Sequence, residues 1–169
     1  DNPPDWYSGD DVGRFLNSLD YSEDAILAHN TVFDGAILSW LYGIKPRFWF
    51  DTLSMARPFH HSTVGGSLKA LANFYNLGQK GDEVIQGLGK KRKDFSPQEL
   101  DKYADYCLQD VNLTYKLYEK LRQKVPVSEL MIIDQTIRMY TEPTVILDRE
   151  VLSDHLQKVK EDKRKLIES

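Results

Sequence analysis

Two constellations in this sequence put groups capable of chemistry at meaningful spacing. In His29-Asn30-Thr31-Val32-Phe33-Asp34, the apolar run Ala25-Ile26-Leu27-Ala28 delivers an imidazole, a carboxamide and a carboxylate to the point where a helix should begin. In Tyr106-Cys107-Leu108-Gln109-Asp110, a phenol and a carboxylate stand four residues apart. That spacing is one helical turn, so both can meet one small object. The same stripe continues through Leu113 and Leu117. Asp110 is therefore expected to be buried and to need a partner or a metal, because an unpaired buried carboxylate costs several kcal/mol. Plainer accounts compete: Asn30 caps a helix, Asp34 complements its dipole, and Tyr106 with Asp110 makes a structural contact.

The elements needed to position these groups can be read from patterning. Asp10 and Asp11 precede Val12, Phe15, Leu16 and Leu19, a short amphipathic helix with an acidic start. The run 25–28 reads as a strand covered on both sides. Phe33, Ile37, Leu38 and Leu41 read as the buried stripe of the next helix, which Gly43 ends. Phe48-Trp49-Phe50 is a second strand, so strand, helix and strand make a βαβ unit with parallel strands. Ser67 opens a helix with Leu68, Leu71, Ala72 and Tyr75 inward. Ser96, Pro97 and Glu99 form a capping box that starts a long helix running toward Pro126. Ser128 to Tyr140 reads as a connecting helix, Thr144-Val145-Ile146-Leu147 as a short strand, and Asp148 onward as a charged helix. The fold class is α/β, with a main domain over residues 1–125 and a connector over 126–169.

Composition narrows the classes further. The chain has 169 residues, one cysteine and a formal net charge of −4. One cysteine excludes an internal disulfide framework and a thiolate zinc cage. The acidity argues against wholesale phosphate neutralisation, so any nucleic-acid contact must be local. No apolar run approaches a membrane span and the first residues do not read as a signal peptide, so a cytosolic setting is expected. Cys107 reads as a packed thiol. His60-His61 reads as a solvent-facing pair, and the Lys158–Lys165 run as a solvated helix face.

The pattern His-Asn-x-x-Phe-Asp followed by Tyr-x-x-x-Asp resembles motifs of the DEDD exonuclease superfamily, in its tyrosine subgroup. Asp51-Thr52-Leu53, Ser67-Leu68-Lys69-Ala70-Leu71, Leu113-Thr114 and Glu142-Pro143-Thr144-Val145-Ile146-Leu147-Asp148 extend the likeness. Together they resemble the 3′–5′ proofreading domain of family A DNA polymerases, phage members especially. The resemblance implies an RNase H-like fold and hydrolysis of a 3′-terminal phosphodiester by two divalent ions, Mg²⁺ or Mn²⁺, held by carboxylates. By that likeness Asp34 and Asp110 are metal ligands, Tyr106 orients the attacking water, and His29 and Asn30 face the terminal nucleotide. It also implies single-stranded DNA as substrate and a polymerase domain, in this or another chain, as partner, with the bacterial host's cytoplasm as the setting if the protein is phage-encoded.

Lys90-Lys91-Arg92-Lys93 places four cations just before Phe95. Cations track phosphates and an exposed ring stacks on a base, whereas Phe95 directly before the Ser96 cap also suits a hydrophobic staple. One departure stands out. The superfamily's first acid pair, Asp-x-Glu on an opening strand, is missing before residue 29. The one Asp-x-Glu present, Asp148-Arg149-Glu150, lies after the third motif and reads as a helix cap. The expectation is a domain lacking its first strands, with little nuclease activity on its own. A degenerate module that only grips single-stranded DNA or braces a polymerase is the rival reading, and an RNA-trimming relative a third.

Overall fold

The structure, a computed structural model, describes residues 5–79, 89 and 91–168. In chain order it contains α1 (Asp10–Asn17), β1 (Ala25–Ala28), α2 (Thr31–Tyr42), β2 (Phe48–Asp51), α3 (Thr52–His60) and α4 (Leu68–Phe74). A 3₁₀ turn (Arg92–Asp94), α5 (Pro97–Leu121), α6 (Val127–Thr141) and α7 (Arg149–Glu168) come next. β1 and β2 pair in parallel, from Ala25 opposite Phe48 to Ala28 opposite Asp51, with α2 as the crossover. The fold is mixed α/β and mostly helical, around one small parallel sheet.

The main core forms where α5 crosses α3 and α4. Leu113, Leu117 and Leu121, spaced at four, meet Met55 and Ala56 of α3 and Leu71 and Ala72 of α4. Burying each such leucine contributes about 2 kcal/mol. The long helix starts as its sequence dictates: Ser96 Oγ accepts the Glu99 N–H at 3.3 Å, and Glu99 returns a carboxylate oxygen to the Ser96 N–H at 2.8 Å. Ser67 caps α4 in the same manner, accepting from the Ala70 N–H at 3.2 Å.

The helix in the segment read as a connector, α6, packs on α2 and β2. Its Asp134 accepts the Trp49 N–H at 2.8 Å, and the Arg138 guanidinium bonds the carbonyls of Pro46 and Arg47, each at 2.8 Å. Ser39 Oγ donates to the Thr141 carbonyl at 2.7 Å. Gly35 makes the approach of α2 and α6 possible: a Cβ there would stand 3.0 Å from the Thr141 methyl.

That contact corrects the reading of α2. Thr31 and Gly35 are its buried residues, whereas Phe33 is 65% and Leu41 75% exposed. The helix is apolar nearly all round, so its pattern did not specify a face; Gly35 turns inward because it admits α6 against Trp49, and Thr31 because it bonds Asp51 and the Phe50 carbonyl. β1 is likewise only partly covered, with one edge unpaired among the described residues, because the sheet has two strands. Residues 144–147 form no strand; Val145, Ile146 and Leu147 are exposed and no strand edge pairs with them. Asp148 does cap α7, accepting the Glu150 and Val151 N–H groups at 3.1 Å. Nothing on α7 is buried. Of the histidine pair, His61 faces solvent but His60 is buried in the last turn of α3, with Nε2 2.7 Å from the Tyr75 hydroxyl.

Candidate active site

Both strands end at the same place, and a carboxylate there fixes the two helix starts beyond them. Asp51, the last residue of β2, is 2% exposed. Its Oδ1 accepts the backbone N–H of Asn30 at 2.8 Å, of Thr31 at 3.3 Å and of Leu53 at 3.1 Å. Its Oδ2 takes the Ser54 N–H at 3.3 Å and the Ser54 hydroxyl at 2.6 Å. One side chain thus satisfies the open N-termini of α2 and α3 together. Asn30 occupies the cap position of α2, yet its side chain makes no capping bond and its backbone is left-handed at φ 72°. The expected asparagine cap is replaced by Asp51 from the neighbouring strand.

His29 is held in the same junction. Its Nδ1 lies 2.8 Å from Thr52 Oγ1 and its Nε2 2.9 Å from the Gly66 carbonyl. A carbonyl only accepts, so Nε2 carries a proton and donates there. Both ring nitrogens are thereby engaged in the fold, while the residue still lines the adjoining cleft.

That cleft, about 650 Å³, runs from β1 to α5. Asp34, from the first turn of α2, and Asp110, from the middle of α5, both line it, with His29 between β1 and α2. The two carboxylates expected to converge therefore share one cleft. Its other walls are largely apolar, among them Ile26, Leu27, Leu38 and Leu68. Burial pushes the Asp34 carboxyl above the ordinary carboxylate range; a hydrogen bond to its own backbone opposes this, and the nearby Asp51 charge adds to it. Oδ1 of Asp110 is shielded from solvent.

The other expected residues lie elsewhere. Tyr106 stands one turn before Asp110 but is buried, its ring 6.1 Å from that of Tyr103, and is not among the residues lining the cleft. Phe95 packs toward α5, 5.9 Å from the Tyr103 ring. Asn30 lines an apolar groove of about 460 Å³ on the outer face of α2, with Phe33, Trp40 and Tyr140. Lys91 and Lys93 are exposed, Arg92 donates to Ser8 Oγ at 3.1 Å, and Lys90 lies outside the described residues. The residue that sequence reasoning undervalued is Asp51. Its signal was local: an acid ending a strand, with Thr-Leu-Ser directly after it, is a helix-cap pattern.

A sequence model of the 3′–5′ exonuclease of family A DNA polymerases matches residues 6–126. The chain belongs to this exonuclease family. Among curated proteins and among solved structures, no match was found. Membership makes the chain a nuclease-family domain with DNA as the substrate class. Among the described residues of this exonuclease domain no helix is long and apolar enough to cross a membrane.

The carboxylates of the exonuclease domain fit a divalent ion in part. Mg²⁺ takes one or two carboxylates and completes its shell with water and substrate phosphate. Asp34 and Asp110 meet that minimum in kind. Among the described residues no three His, Cys, Asp or Glu side chains cluster. Asp51 is near, but both its oxygens are committed to backbone and Ser54 donors.

Proposed function

We propose that this chain is the proofreading exonuclease portion of a family A DNA polymerase of phage type, with an RNase H-like fold, directed at the 3′-terminal phosphodiester of single-stranded DNA. The observation that carries this reading is the shared cleft of Asp34 and Asp110, residues of two separate motifs on two separate helices. In the proposal these two carboxylates are the ligands for Mg²⁺ or Mn²⁺. Such ions, when bound, neutralise charge on the attacking and leaving oxygens. Tyr106 orients the attacking water from its place one turn from Asp110. His29 supports the terminal nucleotide through the rigid junction it helps to build, and Asn30 meets it at the start of α2. Lys90, Lys91, Arg92 and Lys93 track the backbone, and Phe95 stands at the 3′ end. Residues 1–125 are the exonuclease unit and 126–169 the passage toward a polymerase domain.

A second reading has its own support. With no cluster of three ligating side chains among the described residues, the chain is a catalytically incomplete module that holds a DNA end or braces a polymerase. The unpaired edge of β1 beside the cleft is where a further acid-bearing strand would join in the first reading.

The test is a titration of the chain with a 5′-labelled single-stranded oligonucleotide, with and without Mn²⁺, while monitoring digestion. Under the proposal Mn²⁺ tightens binding, Asp34→Asn and Asp110→Asn each abolish that tightening, and the chain alone digests DNA slowly or not at all. Mn²⁺-dependent binding or digestion that survives both substitutions would overturn the assignment of these two residues.

A further inference from the structure

We infer that the surface formed by α3, α4 and the end of α5 is a second binding site, built for single-stranded nucleic acid and separate from the cleft of Asp34 and Asp110. In a chain with net charge −4, no Asp or Glu occurs from Thr52 to Gln79, while Arg57, His61 and Lys69 do, and all three side chains are exposed; on the end of α5 the acid Glu119 is paired with Arg122 at 3.2 Å. Lys124, from the turn after α5, brings a further cation, with Nζ 5.1 Å from the centroid of the Tyr75 ring.

Two large rings stand exposed on α3 and α4, on the side of Tyr75 and Lys124. Phe59 is 42% and Phe74 54% exposed, and both flank the buried His60, at 6.3 Å and 4.9 Å between ring centroids. Phe74 in turn meets Tyr75 edge-on at 5.0 Å. His60 gives these rings a fixed base. Its Nε2 is bonded to the Tyr75 hydroxyl at 2.7 Å, and its carbonyl accepts the N–H groups of Thr63, Val64 and Gly65 at 3.2, 2.9 and 2.9 Å. Rings held this firmly lose little freedom when something stacks on them.

The combination selects the occupant. Exposed rings alone would suit any apolar partner, and cations alone would suit any polyanion. Single-stranded nucleic acid offers both a phosphate backbone and open base faces, which a duplex conceals. None of the residues invoked lines the cleft, so this surface operates whether or not the cleft performs hydrolysis.

The experiment measures anisotropy of labelled oligothymidylate with the chain in EDTA, which removes divalent ions from consideration, over a range of salt. The double variant Phe59→Ala/Phe74→Ala should bind about tenfold or more weakly. Phe59→Tyr/Phe74→Tyr, which keeps the stacking faces, should restore affinity. Arg57→Gln and Lys69→Gln should each lower the salt slope by about one, and a duplex of equal length should compete poorly. The Mn²⁺-dependent tightening assigned to the cleft should persist in Phe59→Ala/Phe74→Ala, neither of which lines the cleft, which separates failure here from failure of the cleft. Equal affinity of the parent and the folded alanine variant, or equal affinity for duplex and single strand, would overturn the site. Selective capture of an acidic peptide in place of the oligonucleotide would overturn the choice of occupant.

Discussion

Asp51 Oδ1 accepts the Asn30 N–H at 2.8 Å, so the end of β2 holds the backbone turn through which the end of β1 enters α2. The same carboxylate takes the first amides of α3. Removing it would leave buried donors at two helix starts without an acceptor. Asp51→Ala should cost about 2–4 kcal/mol, read as a shift in the urea midpoint at unchanged slope. Asp51→Asn, which keeps one acceptor oxygen, should cost less.

Asp34 should oppose the stability of the unliganded chain at neutral pH. Its folded-state pKa is raised by burial and by Asp51, so the folded chain holds that proton more tightly than the unfolded one. Its stabilising contribution is then present below the ordinary value of 3.8 and lost as pH rises through the elevated value. Asp34→Asn should raise Tm at pH 7 by on the order of 1–2 °C, and the gain should fade at acid pH. Calorimetry at both pH values checks the sign.

His60 titrates in the opposite sense. Burial first and the Lys124 charge second lower its pKa from 6.5, favouring the neutral ring in the folded state. The hydrogen bonds agree: Lys124 Nζ donates to the Tyr75 hydroxyl at 3.2 Å, and that hydroxyl donates to Nε2. The unfolded chain therefore binds more protons, and stability contributed by His60 is full above 6.5 and lost as pH falls below it. His60→Gln should flatten the stability profile below pH 6.5 in denaturant titrations, even if its stability at pH 7 is lower.

Arg138 joins α6 to the loop before β2 with bonds in several directions. Nε reaches Asp134 at 2.9 Å, Nη1 reaches Glu142 at 2.7 Å, and Nη2 serves the carbonyls of Pro46 and Arg47. An ammonium cannot copy that fork. Arg138→Lys should cost about 2 kcal/mol in equilibrium unfolding although charge is conserved.

Much of this protein was legible in the sequence because the signals are local. The Ser96 capping box, the Ser67 cap, the stripe through Leu113 and Leu117 and the parallel pairing of two short apolar runs depend on spacing alone, and each appears as read. The positions of the two acids in their elements were also local: Asp34 in the first turn of α2 and Asp110 on the inward stripe of α5. The orientation of α2 was not. A helix apolar on nearly every side is turned by whatever packs against it; here Trp49 and α6 select Gly35, and Asp51 with the Phe50 carbonyl draws in Thr31. Only the tertiary structure could bring Asp51 to Asn30 or open one cleft to both Asp34 and Asp110, because hydrogen bonds and cleft walls between distant segments are set by how whole elements stack. Sequence determined which groups were available; packing decided which of them meet.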